Sequence, residues 1–249
     1  MLHGKRIAVV VPAYNEAELL EGTVRTVPSY VDDIIVVDDA SIDGTEIITS
    51  RLAQGGVHVI RHAENRGVGA ALVTGFTHAF AAGADVVAIM AGDGQMHPDD
   101  LLAVAGPVAR DDADFAKGNR LADPHVRRLM PATRWIGNRV LSAFTRWATG
   151  LRIDDSQCGY IAVSRDGAAR LSLGSLWPRY GYPNDLLARV AAARLRVVES
   201  RVRPVYGTEK SGVRLHHALF VVPWVIWRSA RARRRSPGER SLTASVARN

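Results

Sequence analysis

Residues 86–100, VVAIMAGDGQMHPDD, constrain this chain more than any other stretch. Val86 to Met90 is an apolar run with the length of a buried strand. A polar break follows, and Pro98-Asp99-Asp100 then starts a helix, with proline and acids in its first turn. Within the break, Gly92 and Gly94 leave room for backbone beside a ligand. Asp93 and Gln95 stand two residues apart and offer side-chain oxygens, the donors that suit a hard cation such as Mg²⁺ or Mn²⁺. A plain strand–turn–helix with a capping aspartate has the same pattern, so the stretch alone leaves both readings open.

The rest of the chain repeats the unit. Residues 6–11, RIAVVV, read as a buried first strand, and a helix is expected over 16–25. The loop between them, Pro12 to Glu16, lacks the glycine triplet of a dinucleotide fold. Either Asn15 caps the helix, or Tyr14 and Glu16 hold a base and a ribose. Residues 33–39, DIIVVDD, form a second strand that ends in Asp38 and Asp39, followed by a helix over 45–54. Adjacent acids at the carboxyl end of a strand are costly unless something binds them, and that edge is where open α/β sheets bind ligands.

A third strand is expected over 57–61. Gly67-Val68-Gly69 then opens a helix to residue 82, as a phosphate-proximal turn rather than a dinucleotide loop. Residues 101–110 are amphipathic helix, and a strand over 114–117 runs into Gly118-Asn119-Arg120. An arginine at that edge suits a pyrophosphate, or is a surface residue. Residues 123–134 read as irregular, 135–149 as helix, 160–163 as a short strand and 196–205 as the last strand. Asp185 opens a helix over 185–193, and either caps it or faces an acceptor as a base.

Charge separates body from tail. The formal net charge is +7, yet residues 228–249 hold seven arginines and one acid, so the body is almost neutral. The body has no basic aromatic face, so nucleic acid is not an expected partner. Residues 215–227 are apolar, with Trp224 and Trp227, but too short to span a bilayer. With the arginines behind them they suit peripheral contact with an anionic membrane surface, or residues 219–227 pack on the catalytic domain and the arginines are solvated. Cys158 is the single cysteine and no secretory leader is evident, so the expected compartment is the cytoplasm, peripheral at the inner face of the membrane. The expected division is a catalytic domain over 1–212 and a tail over 213–249.

Six motifs, in order, carry a resemblance: Val11-Pro12-Ala13-Tyr14-Asn15-Glu16, Val37-Asp38-Asp39-Ala40-Ser41, Asn65-Arg66-Gly67, Asp93-Gly94-Gln95, Gly118-Asn119-Arg120 and Ser156-Gln157-Cys158-Gly159-Tyr160. The set resembles the family 2 inverting glycosyltransferases, above all the dolichyl- and polyprenyl-phosphate mannosyl- and glucosyltransferases. The resemblance implies a GT-A fold: α/β, with a mostly parallel central sheet and helices on both faces. It implies a nucleoside diphosphate sugar as donor and a divalent cation, with a polyprenyl phosphate as acceptor. By motif match Pro12, Tyr14, Glu16, Val37, Asp39 and Gly92 would line the donor pocket. Asp93 and Gln95 would hold the metal, and Arg120 and Lys210 would face phosphates. Where the family has Asp-Ala-Asp this chain has Ala91-Gly92-Asp93, so the first metal acid is absent. A soluble hydroxyl acceptor is the alternative. It would need a base, for which Asp185 is the candidate with Asp155 behind it. A nucleotide-binding domain without activity is a further alternative class.

Overall fold

The structure is a computed structural model of the chain, and it describes residues 1–205 and Trp224. Lys210 and, apart from Trp224, the expected tail over 213–249 lie outside the described residues. The described strands form one sheet: β1 (Ile7–Ala13), β2 (Asp33–Asp38), β3 (His58–Arg61), β4 (Val86–Ile89), β5 (Phe115–Asn119), β6 (Ile161–Ser164) and β7 (Val197–Arg201). Their spatial order is β3-β2-β1-β4-β6-β5-β7. The first four are parallel, with Val10 beside both Ile35 and Ile89. β6 runs antiparallel to β4 and β5, and β5 pairs in parallel with β7. The mostly parallel α/β sheet expected from the sequence is what forms.

Helices cover both faces: α1 (Leu20–Arg25), α2 (Thr45–Gln54), α3 (Val68–Ala81), α4 (Leu101–Ala109), α5 (Val126–Leu129), α6 (Ala132–Thr149), α7 (Arg165–Ala169) and α8 (Tyr182–Ala192). Alternation along β1 sends Ala8 and Val10 into one core with Leu72 and Phe76 of α3, and Ile7, Val9 and Val11 into the other with Leu101 and Val104 of α4. A strand apolar on both faces reads as an unbroken hydrophobic run, which is why residues 7–11 do.

The chain steps outward from β1 to β3 and then crosses to β4 on the other side of β1. This places a topological switch point between the carboxyl ends of β1 and β4, the place where open α/β sheets bind ligands.

Local corrections have physical causes. α1 starts at Leu20 rather than 16, because Asn15 adopts left-handed backbone (φ 58°) and its side chain accepts from Ile42 N–H (2.9 Å) instead of capping the helix. Residues 123–134 are not irregular: α5 forms, and Pro131 precedes the first turn of α6, where a missing N–H costs nothing. α8 begins at Tyr182, with Pro183 in its first turn. α7, unforeseen, is capped by the Ser164 hydroxyl, which accepts from Gly167 N–H.

Candidate active site

The loops after β1 and β2 are laced together. Asn15 N–H donates to Ser41 Oγ (2.9 Å), Glu16 N–H to Thr45 Oγ1 (2.9 Å) and Ala17 N–H to Asp43 Oδ2 (3.1 Å). This lacing fixes Pro12, Tyr14 and Glu16 at the switch point: Pro12 is half-buried and Tyr14 exposed. From the β4 side, Gly92 N–H donates to Pro12 carbonyl oxygen (3.3 Å), and a Cβ on Gly92 would sit 3.2 Å from that oxygen. Asp93 is half-buried, and its Oδ1 accepts from Gln95 N–H (3.0 Å) in a tight Asx turn.

Glu16 and Asp93 face the same space. Burial first, then the charges of Asp93 and Asp43, raise the Glu16 carboxyl to about 7. Tyr180, from the loop before α8, lies near enough to feel both charges. Burial raises its hydroxyl pKa and the charges of Asp93 and Glu16 raise it further. Among the described residues no three acid, histidine or cysteine side chains gather as a metal cage. The donor set here, one carboxylate and one amide side chain, nevertheless fits Mg²⁺ or Mn²⁺ bound mainly by diphosphate oxygens and water. The repulsion between Glu16 and Asp93 is what a cation would relieve.

The loop that carries Tyr180 rests on the start of α3. Pro178 carbonyl oxygen accepts from Gly69 N–H (2.8 Å) and Ala70 N–H (3.3 Å), and Arg179 reaches Asn65. A Cβ on Gly67 would lie 2.4 Å from Pro178 O, and one on Gly69 would lie 2.1 Å from Trp177 O. The glycines of Gly67-Val68-Gly69 are thus explained by this close approach of backbone rather than by a phosphate.

Four of the residues expected at the ligand are packed or hydrogen-bonded within the fold. Val37 is wholly buried in the core with Leu72, because it shares a strand face with Ile35. Asp39 is buried: Oδ1 bonds His62 Nδ1 (2.7 Å) and Arg66 N–H (2.9 Å), and Oδ2 accepts from Gly67 N–H (2.7 Å). It anchors the loop between β3 and α3. Asp155 is fully buried, and Arg120 clamps it through Nε (2.8 Å) and Nη2 (3.0 Å) while donating its backbone N–H (3.1 Å). Burial pushes the Asp155 carboxyl up, but Arg120 more than reverses this and holds it below the usual carboxylate range. Asp185 is buried, and its Oδ2 accepts from Trp177 N–H (2.9 Å) and Arg189 Nε (3.1 Å). Both Asp155 and Asp185 are thus buried in ion pairs with an arginine.

Some partners carried little or no signal in the sequence. Glu199 on β7 accepts from Asn119 Nδ2 (3.0 Å), Asp154 N–H (2.8 Å) and Asp155 N–H (3.0 Å). Lys117 is buried beside this group, and its ammonium donates to Cys158 carbonyl oxygen. An acid inside an apolar strand, Val197-Val198-Glu199, is the one signal for Glu199. Tyr180 has no signal beyond its aromatic loop.

Comparison with known proteins agrees with this geometry. A family model described as glycosyl transferase family 2 matches residues 8–170. A UDP-N-acetylglucosamine–dolichyl-phosphate N-acetylglucosaminyltransferase of Methanococcus voltae is 32% identical, covering 84% of this chain and 89% of that one. A polyprenol monophosphomannose synthase of Mycolicibacterium smegmatis is 31% identical, covering 89% and 88%. Among solved structures, glucosyl-3-phosphoglycerate synthase of Mycobacterium tuberculosis, in complex with Mn²⁺, UDP-glucose and phosphoglyceric acid, aligns with a TM-score of 0.68 at 23% identity, over 92% of this chain and 80% of that one. That likeness shows the GT-A fold. A family match over most of the catalytic sheet, and relatives above 30% identity along most of their length, lead to one conclusion: this chain belongs to the family 2 glycosyltransferases and is an enzyme of sugar transfer.

Proposed function

We propose that the chain moves a hexose, with inversion, from a nucleoside diphosphate sugar to a polyprenyl phosphate. The observation that carries the choice of acceptor is the state of the two candidate bases. Asp155 and Asp185 are buried in ion pairs with Arg120 and Arg189. A hydroxyl acceptor needs a base within reach, whereas a phosphate is already ionised and attacks without one. The names of the relatives from Methanococcus and Mycolicibacterium support the same class.

In this reading Pro12, Tyr14 and Glu16 line the nucleoside pocket at the end of β1. Asp93 and Gln95 hold a divalent cation, Mg²⁺ or Mn²⁺, against the diphosphate. When bound, the cation offsets the charge that builds on the departing diphosphate. Arg120, oriented by Asp155, presents positive charge at the same edge, and Lys210 faces the phosphates from outside the described residues. Tyr180 covers the donor and excludes water. In this reading residues 215–235 supply contact with a membrane surface, while Trp224 packs edge-on against Trp177 of the catalytic domain, with ring centroids 5.4 Å apart, the contact expected of the alternative reading.

A donor screen tests the proposal. Release of nucleoside diphosphate should be stimulated by a polyprenyl phosphate and not by sugar or glycerate hydroxyl acceptors. Stimulation by hydroxyl acceptors alone would overturn it.

A further inference from the structure

α6 (Ala132–Thr149) is packed inside out. The face it turns to the protein is polar or small: Asn138, Ser142, Thr145, Ala148 and Thr149 are buried. The face it turns outward carries Ile136, Val140 and Trp147, which are 55%, 62% and 71% exposed. Residues 136, 140 and 147 fall on one stripe of a 3.6-residue helix, four and then seven positions apart. Leu129 of α5 extends the patch, 49% exposed, and Phe144 stacks on Trp147 with centroids 5.5 Å apart. A helix in contact with water alone has the opposite polarity. The inward side explains its own composition: Ser142 Oγ accepts from Ser156 N–H (2.9 Å), and Thr145 Oγ1 donates to Asn184 (2.9 Å), so polar groups tie α6 to the site loops. Nothing in these bonds requires the outer stripe to be apolar.

The charge around the stripe is one-sided, and with Trp135, Phe144 and Trp147 it gives the body the basic aromatic face that was not expected from its sequence. Residues 125–152 contain Arg127, Arg128, Arg134, Arg139, Arg146 and Arg152, and no acid. Arg127 and Arg139 lie over the Trp135 ring, at 4.8 and 5.0 Å from its centroid, and so flank the stripe. Arg146 also meets an acid beyond this stretch, Asp154, at 3.0 Å.

We propose that the outer face of α6 is a docking surface for an anionic lipid bilayer. Large apolar side chains and an exposed tryptophan between arginines are the composition of a helix lying in the headgroup plane. Arginine stems lie along apolar surface while their heads reach phosphate oxygens. The basic tail over 228–249 adds a second positive segment, and two weak membrane signals together give stable association where one does not. The surface deepens the lipid-acceptor reading, on which its purpose rests, because the bonds from α6 to Ser156 and Asn184 couple the docked helix to the site loops.

Flotation of the full-length chain with vesicles of phosphatidylcholine, with and without phosphatidylglycerol, tests the proposal. The wild type should float with anionic vesicles at low salt. The triple substitution Ile136→Glu, Val140→Glu and Trp147→Glu should cut the floating fraction at least about tenfold, since it replaces the exposed apolar stripe by charge of the membrane's own sign. Arg128→Gln with Arg139→Gln tests the same face without touching the apolar stripe and should flatten the salt dependence, so the test survives if the triple variant does not fold. Transfer to a short polyprenyl phosphate dispersed in detergent should be unchanged in these variants, and transfer to the same lipid in vesicles should fall. Flotation of both variants at wild-type levels, a wild type that stays unbound, or a triple variant that turns an oligomeric wild type monomeric would overturn it; the last would make the face a protein interface. A wild type that floats yet transfers nothing to detergent-dispersed lipid phosphate would instead overturn the acceptor reading and leave the docking surface standing.

Discussion

Replacing Asp155 by asparagine should unfold the protein more readily rather than remove a catalytic base. The carboxylate is fully buried and accepts three N–H groups of Arg120, at 2.8, 3.0 and 3.1 Å. Arg120 is itself largely covered, its side chain 14% exposed. Asparagine keeps one acceptor oxygen but no charge, so one arm of the bidentate clamp is lost and a covered guanidinium is left without its counter-ion. Breaking a buried pair from one side costs roughly 3–5 kcal/mol, much of it the unpaired charge. A loss of that size is a large part of the roughly 5–15 kcal/mol that holds an ordinary domain together. For a domain of this size it lowers Tm by about 6–20 °C, at 2–4 °C per kcal/mol. Urea unfolding at constant m measures it. The pH dependence gives a second check. Because the folded carboxyl is held below its unfolded value, its contribution is present above the unfolded value, about 4, and is lost as pH falls through the folded one. The gap between wild type and Asp155→Asn should therefore close below about pH 4. Unchanged urea stability together with a hundredfold loss of turnover would refute this reasoning and return Asp155 to the role of base.

Asp93→Asn should lower transfer at least about a hundredfold, and excess EDTA should abolish it in the wild type, because Asp93 is the one acid at the end of β4; full activity in EDTA would remove the metal from the reaction. Glu16 is protonated in the fold up to about 7, so the wild type should lose stability as pH rises from its unfolded value through 7. Glu16→Gln should abolish that slope in Tm between pH 5 and 8, and an unchanged slope would mean that neither burial nor the charges of Asp93 and Asp43 hold the Glu16 carboxyl up. Gly69→Ala places a carbon 2.1 Å from Trp177 carbonyl oxygen, so the 177–181 loop must lift and release the Gly69–Pro178 bond. Donor KM should rise and stability fall by about 1–3 kcal/mol; kinetics and Tm identical to wild type would show that the loop does not close the site.

The elements and their order are legible in the amino-acid sequence, because local pattern sets them. Apolar runs at 7–11, 34–37 and 86–89 have the length and β-branched composition of buried strands, and each is followed by proline, glycine or acids that close it. That alternation points to an open α/β sheet with its ligands at the carboxyl edge, and the family resemblance carried by the motifs adds that the sheet is mostly parallel and that Pro12, Tyr14, Glu16 and Asp93 share that edge. What each acid does there is not local. Asp39 finds Gly67 N–H 28 positions away, Asp155 finds Arg120 across 35, and Asp185 meets Trp177 N–H where a loop doubles back. A carboxylate in a sequence reads the same whether it meets solvent, a substrate or an arginine, and only the packed structure brings its partner within about 3 Å. The same holds for α6. Its periodicity is that of any amphipathic helix, and the sequence does not say which face turns inward. The fold decided that, since Ser156 and Asn184 need hydroxyl partners on the inner side, and the large apolar side chains were left to face outward.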